Sequence, residues 1–250
     1  GGIKLLTIPT PDGKLTPELI DTEAWGWGDE HRAQPLVVAI TQSSELGTLY
    51  TPAEIRAIAD HVHERGMLLY MDGARISNAA AALGLPLHAF TTDAGVDVVS
   101  VSGTKNGALA AEAIVVLNES ASVGLHYLRK MNMQLASKMR FVSAQLVALY
   151  EGDLFLRNAR HANAMAARLR RGLEEAIAAG SIHGVGFTQQ TQANGIFATL
   201  PPGAAERVRE SFRFYDWDAS VGEVRWVCSF DTTESDIDAL IEAIARATNA

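Results

Sequence analysis

The sequence predicts an α/β protein, with a mostly parallel sheet in its first part and a smaller α+β unit behind it. Three observations carry this expectation. Apolar, β-branched runs alternate with helical patterns over residues 35–117, as in successive strand–helix–strand units. Polar clusters follow two of those runs directly, Asp72-Gly73-Ala74-Arg75 and Ser102-Gly103-Thr104-Lys105, and open parallel sheets bind ligands beyond the carboxyl ends of their strands. After Asn118 the pattern changes to long helices and then to short, separated strands.

Taken in order, Lys4–Ile8 is short and apolar and is expected as a strand, followed by a loop at Pro9, Pro11, Asp12 and Gly13. Thr16-Pro17-Glu18 sets a capping residue before a proline at the first helical position, so a short helix starts there. Trp25–Arg32 is irregular and polar. Pro35–Thr41 (PLVVAIT) is a continuous run, expected as a strand buried on both faces. Thr51-Pro52-Ala53-Glu54 opens a helix with a capping box; Ile55, Ile58, Ala59 and Val62 continue it, and Gly66 stops it. Met67–Met71, Val96–Val101 and Ala113–Leu117 are further strands, with an alanine-rich helix at Asn78–Leu83. Glu119–Tyr150 reads as long helix with a polar break near Asn132–Ser137, and Leu154–Ala179 as another. Strands are expected near Gly186–Gln190, Gly195–Leu200 and Val224–Phe230, and helices near Ala204–Glu210 and from Thr233 onward. The boundary at Glu151-Gly152-Asp153 suggests a division into residues 1–148, the larger unit with its connecting helices, and 149–250, the small C-terminal unit.

A formal charge of −8 and a pI near 5.4 oppose a nucleic-acid partner, because a net negative chain repels phosphate backbones. A small molecule is the expected partner. The one cysteine, Cys228, excludes an internal disulfide and points to a reducing compartment. No apolar run reaches the length of a membrane span, and no cationic start leads into an apolar core, so cytoplasm is the expected location. The chain begins Gly1-Gly2-Ile3 without a methionine and runs straight into an apolar segment, which reads as the middle of a domain.

Lys105 is the first candidate for chemistry. A lysine at a strand's carboxyl end lies near the ligand face, and burial would lower its pKa and free the amine to attack a carbonyl. On its own it reads more readily as a surface lysine in a turn. Asp72 ends the preceding strand. A carboxylate there can face the ring nitrogen of pyridoxal 5′-phosphate (PLP), whose protonated ring is the better electron sink, or it can cap the helix that follows. Arg75 could bind a phosphate or carboxylate through two donors, or pair with Asp72.

At these residues the sequence resembles a known family. YMDGARISNAAAALG and VSVSGTKNGALAAEAIVVLN, then LRKMNMQLASKMRFVSAQL, DLFLRNARHANAMAARL and EVRWVCSFDTTESDID, resemble the low-specificity L-threonine aldolases, fold-type I PLP enzymes of the β-eliminating lyase group. The resemblance covers essentially the whole chain, in order. It implies the PLP-dependent transferase-like fold type I, with a large domain incomplete at its N-terminus and a small α+β C-terminal domain. It implies PLP as cofactor and retro-aldol cleavage of β-hydroxy-α-amino acids such as L-threonine or L-allo-threonine to glycine and an aldehyde. Lys105 matches the lysine that anchors PLP, and Asp72 the partner of its pyridine nitrogen. Arg75 matches an arginine near cofactor and substrate carboxylate, and Arg225 the arginine that binds the α-carboxylate. Thr104 and Gln42 match cofactor-contacting positions. His31 matches a histidine that contacts the substrate hydroxyl, and His31 or a water is the expected base. Lys130 and Arg140 fall where basic residues reach the cofactor phosphate across a subunit interface. No metal is implied, and a dimer or tetramer is. The family carries a further N-terminal segment with a glycine-rich phosphate loop and a stacking ring, neither of which is found here. Two alternatives therefore stand beside the aldolase: another β-eliminating lyase of the same fold, and an inactive or partner-dependent fragment.

Overall fold

The computed structural model describes residues 2–249; Gly1 lies outside the described residues. Helix α1 (Pro17–Asp21) starts as its capping pattern requires, with Thr16 Oγ1 accepting from the Leu19 amide at 3.3 Å. Helix α2 (Pro52–His63) carries the full capping box, with Thr51 and Glu54 bonding each other's backbone amides, so two of the orphan donors at its N-terminus are satisfied.

The first sheet contains β1 (Val37–Thr41), β2 (Leu68–Gly73), β3 (Val98–Ser102) and β4 (Glu112–Val116), side by side in that order. β1–β2 and β2–β3 are parallel, and β4 runs antiparallel to β3. Two expectations need correction. Lys4–Ile8 forms no strand: it pairs with nothing among the described residues, and Ile3 and Leu5 lie exposed. β1 is an edge strand with one open face. Val38 and Ile40 are buried, but Val37 is 55% exposed, because alternating side chains reach opposite faces and only one is covered. The covered face packs on α2, where Ile55, Ile58 and Val62 meet Leu69, Met71 and Val99 in one apolar cluster. Helix α3 (Ile76–Leu83) contributes Ile76, Ala79 and Ala80 to that cluster and ends on Gly84 at φ 66°.

The expected long helix over 119–150 is broken, as its polar stretch suggested, into α4 (Leu125–Met131) and α5 (Met139–Tyr150). Helix α6 (Leu154–Ala178) is the longest element and joins the two halves of the chain. Leu156 packs against the first core, while Leu169 and Leu173 belong to the second. Asn163 on α6 and Asn78 on α3 lock the two helices. Asn78 Nδ2 donates to Asn163 Oδ1, and Asn163 Nδ2 donates to the Asn78 carbonyl, each at 3.0 Å.

The second sheet is antiparallel throughout. β5 (Gly186–Phe187), β6 (Gly195–Thr199), β7 (Tyr215–Asp218) and β8 (Glu223–Val227) lie in the order β5-β6-β8-β7. Ile196, Ala198, Val224 and Trp226 pack on α6, on α7 (Ala204–Arg209) and on α8 (Glu234–Thr248). The sequence reading missed β7. Its residues, Tyr-Asp-Trp-Asp, are all exposed, and without a buried face there is no hydrophobic alternation to read.

Candidate active site

β2 ends on Asp72-Gly73 because the sheet leaves no room for a side chain at residue 73. A Cβ there would lie 2.2 Å from the Ser100 carbonyl oxygen of β3. This close approach fixes Asp72 at the sheet's carboxyl edge. Its Oδ1 accepts from the Ala74 amide at 2.8 Å and lies 3.5 Å from Ser100 Oγ. Its Oδ2 has no hydrogen-bond partner among the described residues.

The next turn delivers Arg75, at the entrance to α3. It does not pair with Asp72. Its Nη1 lies 3.4 Å from Glu45 Oε1, while Glu45 Oε2 lies 3.5 Å from Nη1 of Arg225 on β8. One carboxylate thus spans two arginines 150 residues apart in sequence. The Arg75 and Arg225 side chains are 14% and 21% exposed, against 56% for Glu45. Arg225 also lies over the ring of Trp217, with Cζ 4.8 Å from its centroid. Trp217 in turn meets Phe197 edge-on, at 5.1 Å between centroids. A guanidinium stacked on an indole keeps a fixed orientation.

Lys105 sits in a single helical turn, Thr104–Asn106, just past β3. The turn is firmly held. Asn106 Nδ2 donates to the Phe155 carbonyl, Asn158 Nδ2 donates to the Asn106 carbonyl, and Thr104 Oγ1 accepts from the Ala111 amide. Lys105 itself is exposed, with no polar partner for its amine among the described residues. The expected burial is therefore corrected: the turn projects from the rim of the sheet, and little packs over it.

Arg75, Asn78, Lys105, Asn194 and Arg225 all line a cavity of about 470 Å³ that residues of both halves of the chain enclose. A much narrower space, about 10 Å³, lies beside Glu45 and is lined by Ser43, Arg75, Asn194 and Arg225. Ser43 Oγ is buried there with no hydrogen-bond partner. Cys228 borders the large cavity, but burial pushes its thiol up to about 12, so it is protonated at neutral pH and a poor nucleophile.

The remaining expected residues fare differently. His31 is not brought to the site. It stands 85% exposed in a loop held by its own Gln34, whose side chain bonds the backbone of Gly26, Gly28, Asp29 and Arg32. Gln42 is fully buried and lines neither cavity. Its amide is occupied by the Tyr50 backbone, donating to the carbonyl at 2.8 Å and accepting from the N–H at 3.0 Å, so it belongs to the fold. Thr104 is exposed beside Lys105. Lys130 on α4 and Arg140 on α5 lie exposed and away from both cavities, Arg140 resting on the Phe141 ring. Ser43, Glu45, Asn78, Asn194 and Trp217 escaped the sequence reading. For Ser43 and Glu45 a signal existed: they follow β1 at the same carboxyl edge as Asp72 and Lys105.

A family model described as beta-eliminating lyase matches residues 1–196. The chain belongs to that family. It is 42% identical over 235 residues to the low specificity L-threonine aldolase of a Pseudomonas species, covering 94% of this chain and 66% of the relative. It is also 42% identical over 232 residues to the Pseudomonas aeruginosa protein of the same name, covering 92% and 65%. This member of the family therefore spans just under two thirds of the length of those curated relatives. Among solved structures, the Leishmania major threonine aldolase matches with a TM-score of 0.87 at 28% identity, over 99% of this chain and 71% of that one. Mouse CSAD, at 15% identity and a TM-score of 0.68 over 96% and 57%, shares the fold alone. The fold is the fold-type I architecture that the sequence resemblance implied.

Proposed function

We propose that the chain carries the site of a PLP-dependent aldehyde-lyase that cleaves β-hydroxy-α-amino acids, L-threonine and L-allo-threonine among them, to glycine and an aldehyde. The observation that carries this reading is the meeting, in one cavity, of an unpaired lysine amine with two arginines from opposite halves of the chain. The names of the 42% identical relatives support it.

The residues present fit PLP. Lys105 offers an amine with no competing partner in the cavity, and Asp72, at the same sheet edge but outside the cavity lining, a carboxylate oxygen with none. The first would hold the cofactor covalently, and the second would keep its ring nitrogen protonated. The Thr104 hydroxyl, free to donate while its oxygen accepts from Ala111, would hold the phosphate. Lys130 and Arg140, exposed and distant, would serve the phosphate of another subunit. When bound, PLP supplies the sink for the electrons of the breaking Cα–Cβ bond. Arg75 and Arg225 hold the α-carboxylate by charge-assisted bonds and so set which bond at Cα faces the sink. Trp217 and Asn194 line or brace that seat. No histidine lines the cavity among the described residues, so the β-hydroxyl proton passes to water or to a group supplied from elsewhere.

A homo-oligomer is part of this reading. Val37, Ile114 and Leu109 on or beside the first sheet, and Tyr127, Met131 and Phe141 on α4 and α5, are exposed apolar residues, an extent unusual for a free surface. Lys105 stands open on the same part of the molecule. This exposure also favours the alternative in which the chain holds PLP only with a partner chain over the site.

The test adds PLP to the folded chain and records its visible absorption, then, with L-threonine as substrate, assays release of glycine and aldehyde against release of 2-oxobutyrate and ammonia. We expect a band that is lost in Lys105→Ala and aldehyde as product. A band of equal strength in Lys105→Ala overturns the anchor assignment. 2-Oxobutyrate with ammonia in place of aldehyde with glycine assigns β-elimination. Binding and turnover only after a second chain is added assign the partner-dependent form.

A further inference from the structure

We infer that Glu45 is a resident carboxylate that competes with the substrate's α-carboxylate for Arg75 and Arg225. The inference rests on the proposal that Arg75 and Arg225 receive that carboxylate.

Three observations converge. Each Glu45 oxygen faces one arginine, at 3.4 and 3.5 Å, the same one-carboxylate, two-guanidinium arrangement that a bound amino acid would make. The space left beside the pair, about 10 Å³, holds no more than a water. No second carboxylate fits that narrow space, and one arriving through the larger cavity that both arginines also line competes with Glu45 for their charge. Finally, Ser43 borders that space, and its hydroxyl is buried without a partner. Buried hydroxyls in native proteins are nearly always bonded, so an orphan next to two arginines marks a place where an acceptor belongs. Glu45 does not fill that role, since its oxygens bond the arginines alone.

The contrast in burial says which member moves. The arginines are held by stacking and packing, whereas Glu45 is more than half exposed, near the start of the irregular stretch between β1 and α2. Both its contacts are long for charge-assisted bonds, which run nearer 2.8 Å. An exposed, loosely held carboxylate is displaced at modest cost, and an incoming one that also accepts from Ser43 gains a contact Glu45 lacks. Meanwhile Glu45 offsets part of the positive charge of the two neighbouring guanidinium groups. Glu45 thus sets the threshold for carboxylate binding: it lowers affinity for every carboxylate and does so without touching the reacting bond.

The test measures binding apart from turnover. N-acetyl-L-threonine, whose blocked amine prevents reaction with PLP, is titrated calorimetrically into the full chain and into Glu45→Gln, Ser43→Ala and Arg225→Gln. Removing a competitor held by two exposed ion pairs corresponds to roughly two- to tenfold tighter binding in Glu45→Gln. Ser43→Ala should bind more weakly than wild type, and Arg225→Gln more weakly still. Unchanged or weaker binding in Glu45→Gln, with Arg225→Gln still impaired, overturns the role of Glu45 and leaves the arginine assignment intact. Equal binding by wild type and Arg225→Gln overturns the arginine assignment, and the inference with it. Circular dichroism of each variant separates loss of fold from loss of contact, and Glu45→Ala, which also removes the chain length, should act in the same direction as Glu45→Gln.

Discussion

Replacing Gly73 by alanine would test how closely the fold and the site are joined. The added Cβ would stand 2.2 Å from the Ser100 carbonyl oxygen, where carbon and oxygen ordinarily keep about 3.3–3.6 Å. The two strands would have to part by roughly 1 Å, against a ladder spacing of about 4.7–4.9 Å. Overpacking of this kind costs about 1–3 kcal/mol, and each weakened ladder bond adds up to about 1 kcal/mol. A loss of about 2–4 kcal/mol is expected, a large share of the roughly 5–15 kcal/mol that holds a domain together. Urea unfolding followed by circular dichroism reads this as a lower midpoint at unchanged slope. Gly66→Ala is the control. Its φ is +70° and nothing lies within 4 Å of the added Cβ, so it carries only the left-handed backbone penalty of about 1–2 kcal/mol. Because Asp72 precedes Gly73, the same shift should weaken PLP retention beyond the stability loss. A Gly73→Ala chain that unfolds at the wild-type midpoint would refute the claim that steric closeness fixes this strand end.

Three further outcomes are expected. Burial raises the Asp97 pKa, but bonds from the Leu69 amide, Asn118 and His63 outweigh it and leave the carboxyl below its usual range. The ionised form therefore stabilises the fold above the unfolded carboxyl pKa of about 3.9, and that stability is lost as pH falls through the folded value. Asp97→Asn should flatten the acid limb of a stability-against-pH curve and lower stability at neutral pH by about 1–3 kcal/mol; an unchanged acid limb would count against this. Burial pushes the Tyr50 phenol up to about 12, so its neutral form contributes stability below pH of about 10 that declines as pH rises toward the folded value. Tyr50→Phe strands the Leu15 amide, which donates to the phenol oxygen at 2.6 Å, and should cost about 1–3 kcal/mol in thermal unfolding. His31→Ala, on an exposed loop, should leave both PLP absorption and aldehyde release within twofold of wild type; a tenfold fall would return His31 to the site.

What the sequence disclosed follows from which signals are local. Caps are local, and Thr16, Thr51 and Thr233 each start a helix where their pattern says. The buried runs of β2 and β3 are local too. β1 misled because its β-branched run is the same whether one face or both are covered, and coverage is a property of neighbours far away in sequence. Lys4–Ile8 misled for the same reason: an apolar run becomes a strand only where another strand pairs with it. In the site, Lys105, Asp72 and Arg75 were legible as residues following strands. Arg225 was legible only through family resemblance, since alternation along Val224-Arg225-Trp226 allows either face. For His31 and Gln42 the transferred roles rest on the resemblance alone: the structure holds the His31 loop through Gln34 and the Gln42 amide through the Tyr50 backbone.

The placement of these groups has a consequence for how the site responds to motion. Ser43, Glu45, Asp72, Arg75 and Lys105 all stand at the carboxyl edge of one sheet, but Arg225 and Trp217 belong to the other. The two arginines can share a carboxylate only while the sheets keep their separation. That separation is set by α6, whose Asn158 and Asn163 bond the Lys105 turn and α3 while its later turns pack in the second core. Carboxylate binding and inter-sheet geometry are therefore coupled through α6, together with direct contacts such as the Leu49 amide donating to Gln192 Oε1. Glu45, reaching from the first sheet to Arg225 on the second, serves as the contact that holds the pair at carboxylate spacing when no substrate is there.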